Sequence, residues 1–316
     1  MNLLISGING FVGTNLVGSF AGSFRISGID IGTERQEGVT SIHTWDQPKN
    51  WPDADVIIHL AGKAHDTKNT TRPDEYFEVN LGLTRKIFDH FLSSGATTFI
   101  YFSSVKAVTD TVAEAALTED AIAAPATPYG QSKHAAERYI LDQPLPAGKK
   151  VYILRPCMIH GPGNKGNLNL LFTRVGKGIP YPLGAFENRR SFTSIGNLAW
   201  ILRQIIEKDI TPGIYHIADD DPLSTNTLIR MMAECLGRKE RVWNIPKPLI
   251  RGLARTGDVL HLPLNSERLK KLTESYVVSN DKIKVALGVE KLPITADEGL
   301  ELTFKSFSKN RQKNDN

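Results

Sequence analysis

Cysteine is scarce in this 316-residue sequence, which contains only Cys157 and Cys235, far apart and without metal-ligand partners near them. A disulfide framework is therefore not expected, and no metal site is predicted. Two isolated cysteines are typical of reduced thiols, so we predict a cytoplasmic protein.

Long hydrophobic runs and dense basic blocks are missing as well. No stretch approaches the roughly 18 apolar residues needed to span a bilayer, and the short N-terminal apolar run lacks the basic leader of a signal peptide. The formal net charge is only +4, with Lys and Arg scattered along the chain. We therefore predict neither membrane insertion nor nucleic-acid binding, whereas an anionic small molecule would suit this charge.

The hydrophobic content of 41% is enough for a full core in one large or two unequal domains. Short apolar runs alternate with helical patterns in the first half, which predicts an α/β fold with a Rossmann-type, doubly wound parallel sheet. The predicted strands are Asn2–Ser6, Arg25–Asp30, Val39–His43, Asp55–Leu60, Thr98–Ser103 and Val151–Leu154, and the predicted helices include Pro73–Leu92 and Tyr129–Leu141.

The composition of the sequence and the length of its predicted elements change after Pro156. Gly, Pro and Asn punctuate residues 161–166, and shorter elements follow. We predict an NAD-binding domain over residues 1–160, to which later segments can return. Residues 161–304 are predicted to form a smaller C-terminal substrate-binding domain, and residues 305–316 a disordered tail.

A glycine motif follows the first predicted strand directly. Gly7, Gly10 and Gly13 are spaced Gly-x-x-Gly-x-x-Gly between that strand and a helical segment. In such a motif the first glycine permits a tight turn, the second lets the backbone approach a pyrophosphate, and the third lets the helix pack closely. The helix N-terminus then binds phosphate through its free N–H groups, which predicts a dinucleotide site.

An acidic residue ends the second predicted strand. Asp30 lies 17 residues beyond Gly13, near the distance expected for a carboxylate that holds the adenosine ribose hydroxyls. A carboxylate there would repel a 2′-phosphate, so NAD(H) is predicted over NADP(H). Arg35 is the residue that could compensate that charge.

Tyr129 and Lys133 are four residues apart in a predicted helix, so both side chains lie on one face. A cation beside a phenol favours the phenolate, so Lys133 is expected to lower the pKa of Tyr129 from about 10. Tyr129 would then exchange a proton with an alcohol or ketone. Ser104, at the end of the fifth predicted strand, could hydrogen-bond the same oxygen; alternatively, it simply terminates that strand.

These motifs, in this order, resemble the NAD-dependent epimerase/dehydratase family of extended short-chain dehydrogenases/reductases, whose members act on nucleotide sugars. The resemblance covers nearly the whole chain and implies a catalytic group of Ser104, Tyr129 and Lys133. The cofactor-binding residues that it implies are Gly7, Asn9, Gly10, Phe11, Val12, Gly13, Asp30, Leu60, Ala61, Gly62, Asn80, Tyr129, Lys133 and Pro156.

The same resemblance places substrate binding in the C-terminal part, with Lys106, Asn167, Arg190 and Arg268 as candidates. Arg190 suits a diphosphate because a guanidinium can make two parallel charge-assisted bonds. For each arginine the alternative is a solvated surface charge. The resemblance further implies a homodimer formed through the Pro73–Leu92 and Tyr129–Leu141 helices, for which Ile87, Phe88, Phe91, Ala135 and Tyr139 are compatible apolar residues, although they also suit ordinary core packing.

One departure from the family pattern narrows the reaction. In the sugar 4,6-dehydratases an acidic Asp-Glu pair follows the position of Ser104, whereas Val105 and Lys106 follow it here. We therefore predict an NAD(H)-dependent oxidoreductase that acts at C4 of a UDP-linked hexose in sugar or surface-polysaccharide biosynthesis, as a 4-epimerase or a 4-keto reductase. The alternatives are a non-catalytic NAD-sensing module and a reductase of a carbonyl substrate without a nucleotide.

Overall fold

The structure is a computed structural model that describes residues 1–34, 36–64, 72–112, 116–208, 210–260, 262 and 264–314, with side chains to Lys309. In these ranges the strands are β1 Asn2–Ser6, β2 Arg25–Ile29, β3 Val39–His43, β4 Val56–His59, β5 Thr98–Phe102, β6 Lys150–Pro156, β7 Met158–His160, β8 Phe192–Ser194 and β9 Gly213–Ile217. The helices are α1 Phe11–Phe20, α2 Pro73–Phe77, α3 Leu83–Ser93, α4 Pro128–Asp142, α5 Asn167–Gly176, α6 Ile195–Glu207, α7 Thr225–Cys235, α8 Lys247–Leu260, α9 Ser266–Thr273, α10 Asp281–Leu287 and α11 Ala296–Asn314.

Seven strands form one sheet in the order β3-β2-β1-β4-β5-β6-β9, and every neighbouring pair is parallel. The order turns back at β1, which is the arrangement of a doubly wound Rossmann-type sheet. The predicted fold class is therefore confirmed. β9 comes from beyond residue 160, so the later part of the chain does return to this sheet.

Both faces of the sheet are buried, because successive side chains of a strand point to opposite sides. In β1, Leu3 and Ile5 join the cluster that packs under α1 and α6, whereas Leu4 joins the cluster under α3 and α4. β4 alternates in the same way, with Ile58 on the first face and Ile57 on the second. The helices thus cover the sheet on both sides, and the carboxyl ends of the strands remain available at one edge.

The remaining elements build a smaller lobe beyond this edge. β7 and β8 pair in parallel as a separate two-stranded sheet. Beside them α5, α7 and α11 pack around Phe172, Met232 and Phe304, while α8 and α9 pack around Ile250 and Leu269. None of the helices in the described ranges is long and apolar enough to cross a bilayer.

The C-terminal segment is more ordered than its composition predicted. α11 runs through Asn314, across most of the segment expected to be a disordered tail. Phe307 explains the difference: it is buried in the cluster of the small lobe and its ring lies 5.5 Å from that of Phe172. Burial of this aromatic side chain offsets the entropy of ordering the helix as far as Phe307.

The apolar residues proposed for a dimer interface are largely core residues. Ile87, Phe88 and Phe91 are fully buried under the sheet, and only Ala135 and Tyr139 retain partial exposure. The first three therefore cannot offer a surface to a second chain. Homodimer formation remains a prediction from the family resemblance.

Replacing Phe307 by Ala should lower the free energy of unfolding by about 3 kcal/mol, because it removes a buried ring and leaves a cavity. Chemical denaturation measures this change. Lys309→Ala, two residues further along the same helix and exposed, is the control and should change stability by about 0.5 kcal/mol or less. Equal stability of both variants would contradict the packing of this segment.

Candidate active site

The loop from β1 to α1 is shaped by its glycines. Gly7 has a φ of +71°, and a Cβ there would lie 2.8 Å from the amide nitrogen of Ala61. A Cβ at Gly13 would lie 2.4 Å from the carbonyl oxygen of Ile8. Gly10 caps α1 without a side-chain hydrogen bond, so no side chain competes for the first N–H groups of the helix. These features fit a dinucleotide pyrophosphate at the helix N-terminus.

Asp30 follows β2 and lies beside this loop. Its carboxylate accepts hydrogen bonds from the backbone N–H groups of Asn9, at 2.8 Å, and Ile31, at 2.7 Å. The acid is thus held against the glycine loop, where the sequence analysis placed the ribose-binding carboxylate. Phe11 and Val12 form the first turn of α1. Arg35, which bears on the choice between NAD(H) and NADP(H), lies outside the described residues.

The segment after β4 also requires a small residue. A Cβ at Gly62 would lie 2.9 Å from Oδ1 of Asn80 and 3.1 Å from Nζ of Lys133. Leu60 and Ala61 precede it, half-buried. Pro156, the last residue of β6, is buried at the same edge of the sheet. The predicted cofactor residues of four strands thus converge on one edge.

Asn80 connects three of these segments. The predicted Pro73–Leu92 helix is interrupted by a π-helical turn, Glu78–Gly82, that carries the fully buried Asn80. Its Oδ1 accepts from the backbone N–H of Lys63 at 2.7 Å, and its Nδ2 donates to Ser132 Oγ at 2.9 Å. Ser132 in turn donates to the carbonyl oxygen of Tyr129 at 2.8 Å. This amide fixes the loop after β4 against the start of α4.

A buried histidine extends the same network. His59 Nδ1 is 2.6 Å from Ser6 Oγ, and its Nε2 is 2.9 Å from Thr84 Oγ1. Thr84 donates its own proton to the carbonyl oxygen of Asn80, so the Nε2–H of His59 must donate to Thr84 while Nδ1 accepts from Ser6. Burial lowers the pKa of His59 well below its ordinary value, so the ring is neutral. His59 therefore stabilises the edge and does not exchange protons with a substrate.

The start of α4 determines where Tyr129 lies. Thr127 caps the helix by accepting from the N–H of Gly130, and Asp110 accepts from the N–H groups of Ala126 and Thr127 at 2.8 and 3.0 Å. A Cβ at Gly130 would lie 2.3 Å from the carbonyl oxygen of Lys106. Glycine thus lets the helix contact the chain that follows β5, which brings Tyr129 to Ser104.

The hydroxyl of Ser104 lies close enough to the Tyr129 phenol to lower its pKa. Ser104 is the residue before a short 3-10 turn, Val105–Ala107, and its hydroxyl also accepts from the N–H of Lys106 at 3.2 Å. The phenol ring of Tyr129 lies edge-on to that of Tyr76, with centroids 6.2 Å apart. Two hydroxyls therefore meet at the carboxyl end of β5, where one substrate oxygen can contact both.

Lys133 is buried and makes neutral contacts. Its ammonium donates to the carbonyl oxygen of Phe102 at 2.8 Å and lies 5.1 Å from the ring centroid of Tyr101. Burial lowers its pKa to about 8, and the charge of Glu137, one turn further along α4, opposes that shift. The ammonium thus lies between the end of β5 and Gly62, within the predicted cofactor-binding edge.

The expected effect of Lys133 on Tyr129 is not seen. Burial raises the pKa of Tyr129 above 10, the nearby Ser104 hydroxyl opposes the shift, and the phenol of Tyr76 adds to it. The expectation of a lowered pKa was wrong because helical spacing places two side chains on one face but does not direct the ammonium at the phenol oxygen. Here the ammonium is directed at the carbonyl of Phe102.

Lys106 and Arg190, two of the predicted substrate-binding residues, lie close enough to influence each other. Burial lowers the pKa of Lys106, the carboxylates of Asp110 and Glu274 oppose the shift, and the charge of Arg190 adds to it. Lys106 Nζ donates to the carbonyl oxygen of Asp110 at 2.9 Å, and Arg190 Nε donates to that of Glu274 at 3.2 Å. Both cations thus donate to neutral carbonyls, and carboxylates also act on them: Asp110 and Glu274 on Lys106, and Glu274 on Arg190.

Tyr276 closes this cluster and was not identified from the sequence. Lys106 Nζ lies 4.1 Å from its ring centroid, and its hydroxyl donates to the carbonyl oxygen of Thr109 at 2.8 Å. An aromatic residue with no motif around it gives no signal in the sequence. The contact joins the chain after Ser104 to the small lobe.

The other two predicted substrate-binding residues are more exposed. Asn167 is the first residue of α5 and is exposed, whereas Asn164 before it is buried in local hydrogen bonds. Arg268 lies on α9, one turn before Lys271, whose carbonyl accepts from Arg190. The structure therefore brings α9 to Arg190 and leaves Asn167 exposed at the start of α5.

The sheet order and the glycine loop define the class of protein: an α/β enzyme with a Rossmann-type dinucleotide site. Residues 3–218 match the model of the NAD dependent epimerase/dehydratase family, which is more than half of the sequence, and the chain belongs to that family. NAD is accordingly its cofactor, as predicted.

Relatives along the full length carry epimerase names. The chain is 29% identical over 322 residues to a UDP-glucose 4-epimerase of Vibrio cholerae, covering 97% of this chain and 95% of the relative. It is 25% identical over 323 residues to an N-acetyl-alpha-D-glucosaminyl-diphospho-ditrans,octacis-undecaprenol 4-epimerase of Escherichia coli O157:H7, covering 96% and 94%.

Solved structures agree with the fold. A UDP-glucose 4-epimerase of Thermotoga maritima, determined with UDP-glucose, superposes with a TM-score of 0.76 at 20% identity, covering 98% of this chain and all of that one. At this identity the likeness concerns the fold alone.

In the absence of ligands, the Tyr129 phenol should remain neutral up to pH 10, because burial raises its pKa. The measurement is the ultraviolet phenolate absorbance of the wild type minus that of Tyr129→Phe as the pH increases. A phenolate signal that is lost in the variant and titrates well below pH 10 would contradict this environment of Tyr129.

Proposed function

We propose that the protein is an NAD(H)-dependent oxidoreductase acting at C4 of a UDP-linked hexose, as a 4-epimerase or a 4-keto reductase. The observation that carries the proposal is the proximity of Ser104, after β5, and Tyr129, at the start of α4, at the edge of the sheet that also holds the glycine loop. When bound, NAD(H) supplies the hydride chemistry that no side chain can perform. The residues around it must then bind the sugar and transfer the hydroxyl proton.

Tyr129 is the proposed proton donor and acceptor. In the reducing direction its neutral phenol donates a proton to the C4 oxygen as the carbonyl becomes an alcohol, while Ser104 hydrogen-bonds the same oxygen. In the oxidising direction Tyr129 must take up the C4 hydroxyl proton, which requires the phenolate. A neighbouring positive charge favours that form, and Lys133 would supply it only by turning from the carbonyl of Phe102 toward the phenol. Lys133 and Asp30 are further proposed to bind the two riboses of the cofactor.

Lys106 and Arg190 are proposed to bind the diphosphate. The guanidinium and the ammonium come from different parts of the chain; each donates to carbonyl oxygens, and Lys106 also lies over the face of Tyr276. The two cations are close enough for the charge of Arg190 to lower the pKa of Lys106, and a bound diphosphate would add to the compensating charge of Asp110 and Glu274. Arg268 and Asn167 are proposed as further contacts from α9 and α5.

The two relatives share a sugar–diphosphate unit in the substrates that their names describe, and they differ in the group attached to the other end of the diphosphate. One name specifies uridine and the other a polyprenol. The proposed binding of the diphosphate by Lys106 and Arg190 serves either substrate. We propose the UDP-linked sugar as the substrate, because a dissolved nucleotide sugar requires no binding site beyond the one described. The lipid-linked sugar is tested as an alternative substrate in the experiment below.

Incubating the protein with NADH and UDP-4-keto sugars, and separately with UDP-hexoses, tests the function. Net loss of NADH with the keto sugar indicates a reductase, and interconversion of hexose isomers without net loss indicates an epimerase. A polyprenol-diphosphate sugar is assayed in parallel. Tight NAD binding without turnover of any of these would favour the non-catalytic alternative.

Tyr129→Phe should lower turnover by about 10²-fold or more, as expected on removing a positioned acid–base group, without weakening the binding of NADH. Tyr139→Phe is the matched control: it lies on the same helix, its hydroxyl binds Asp89, and it should leave turnover unchanged. Near-normal turnover of Tyr129→Phe would exclude Tyr129 as the proton donor and acceptor.

Arg190→Met should weaken the binding of UDP by about tenfold, because it removes a charge-assisted contact to the diphosphate. The shift of the melting temperature on adding UDP measures this, each variant being compared with its own ligand-free form. Arg189→Met removes an exposed neighbouring cation and should retain the wild-type shift. An undiminished shift in Arg190→Met would exclude this arginine from the nucleotide site.

A further inference from the structure

The surface around α8 is unusually apolar for an exposed region. Of the sixteen large hydrophobic residues that are exposed in the described part of the chain, six fall within residues 243–262: Trp243, Leu249, Leu253, Val259, Leu260 and Leu262. Trp243 is 55% exposed and Val259 75%. Exposed apolar residues are normal when scattered, but a cluster of this size indicates an interaction surface.

Helical geometry separates the residues of α8 into strips. Ile250, Ala254 and Gly257 form the buried strip that packs on the small lobe. Leu249, Leu253 and Leu260 share one flank of this strip, because their spacings of four and seven residues are close to whole turns.

Arg251 and Arg255, one turn apart, occupy the other flank. Between the two flanks, on the side away from the core, lie Gly252 and Val259, and a Cβ at Gly252 would meet no other atom within 4 Å. The outer side of α8 is therefore open and uncharged, with leucines on one side of it and cations on the other.

The positive charge of the protein is concentrated in the same segment. Residues 238–262 contain six Lys or Arg residues and two acids, Glu240 and Asp258, a formal net charge of +4. The whole chain carries +4, so all the other residues together sum to zero. Glu240 is paired with Arg230 at 3.3 Å. Within the described ranges, no carboxylate forms an ion pair with Arg251, Arg255 or Lys247.

Three of these cations line a cleft that adjoins the surface. Arg238, Lys239 and Arg241 surround Gly178, and Arg241 donates to its carbonyl oxygen at 3.1 Å. Tyr181, three residues after Gly178, pairs with Val242, directly before Trp243. The cleft is thus connected to the exposed tryptophan through adjacent backbone. An anionic group such as a lipid phosphate could bind there while the indole contacts the acyl boundary.

We propose that this surface, formed by residues 238–262, docks the protein on an anionic lipid bilayer with α8 lying in the interface. Exposed leucines, one tryptophan and flanking arginines are the combination that binds such a surface without crossing it. A second copy of the chain fits less well, because an isologous contact would set one surface of net charge +4 against another. The inference goes beyond the proposed function and does not depend on it.

Sedimentation with lipid vesicles tests the proposal. The protein should bind phosphatidylcholine vesicles that contain phosphatidylglycerol, and it should bind pure phosphatidylcholine vesicles at least tenfold more weakly. It should dissociate from the anionic vesicles at high salt, because salt screens the electrostatic attraction. The emission of Trp243 should shift to shorter wavelength on binding, and Trp243→Phe should lose most of that shift. Failure of the wild type to bind anionic vesicles would overturn the proposal.

Two variants with matched controls separate the apolar from the electrostatic contribution. Leu249→Glu should weaken vesicle binding about tenfold or more, whereas Leu302→Glu, equally exposed at 57% on α11, should not. The double variant Arg251→Glu, Arg255→Glu should also weaken vesicle binding about tenfold or more. The control double variant Lys49→Glu, Lys208→Glu, which changes two exposed cations elsewhere on the surface, should retain binding.

Turnover of a dissolved substrate should be unchanged in all of these variants, since none of the residues lies in the candidate active site. Equal loss of binding in the control variants would reduce the effect to net charge and overturn the assignment of a surface. A wild-type dimer that becomes a monomer in Leu249→Glu would assign the same face to self-association and also overturn the proposal.

Discussion

The hydrogen bonds of one buried amide hold the candidate site together. Asn80 has no exposed surface, and its side chain joins the loop after β4, the π-helical turn and α4 through Ser132. A buried polar group left without partners costs about 1–3 kcal/mol, so these three segments are locked to one another. At Asn80 the helix departs from regular α-helical geometry, because this residue lies in the π turn.

Charge burial is the second constraint on the site. Lys133, Glu137 and Arg155 lie within the same region, and Arg155 binds Glu137 through two bonds of 2.6 and 2.8 Å. Ser103 donates to the same carboxylate at 2.5 Å. The carboxylate is therefore fully satisfied, whereas Lys133 has a neutral carbonyl as its partner. An ammonium that is desolvated but not neutralised is well suited to hold a polar ligand, because its charge is not already paired.

Much of this arrangement follows from the sequence. Apolar runs that alternate with helical patterns predict the parallel sheet, and the carboxyl ends of parallel strands meet at one edge, which places Gly7, Asp30, Gly62 and Ser104 together. The environment of Tyr129 could not be predicted in this way. The direction of the Lys133 ammonium depends on the carbonyl of Phe102, 31 residues away in the chain, and a spacing of four residues contains no information about it.

In the small lobe as well, the sequence predicted some features, while others depend on tertiary packing. Sequence motifs identified Lys106 and Arg190 separately, but only the packing of α9 and Tyr276 brings them to one place. Likewise, the polarity of residues 305–316 predicted disorder, while the packing of Phe307 against Phe172 anchors α11 at the start of this segment. The sequence by itself determined the sheet, the glycine loop and the residue types at the strand ends, because these depend on local periodicity and on backbone geometry. Only the tertiary structure decided protonation, the pairing of distant cations and the surface of α8, because each of these depends on neighbours that folding brings together.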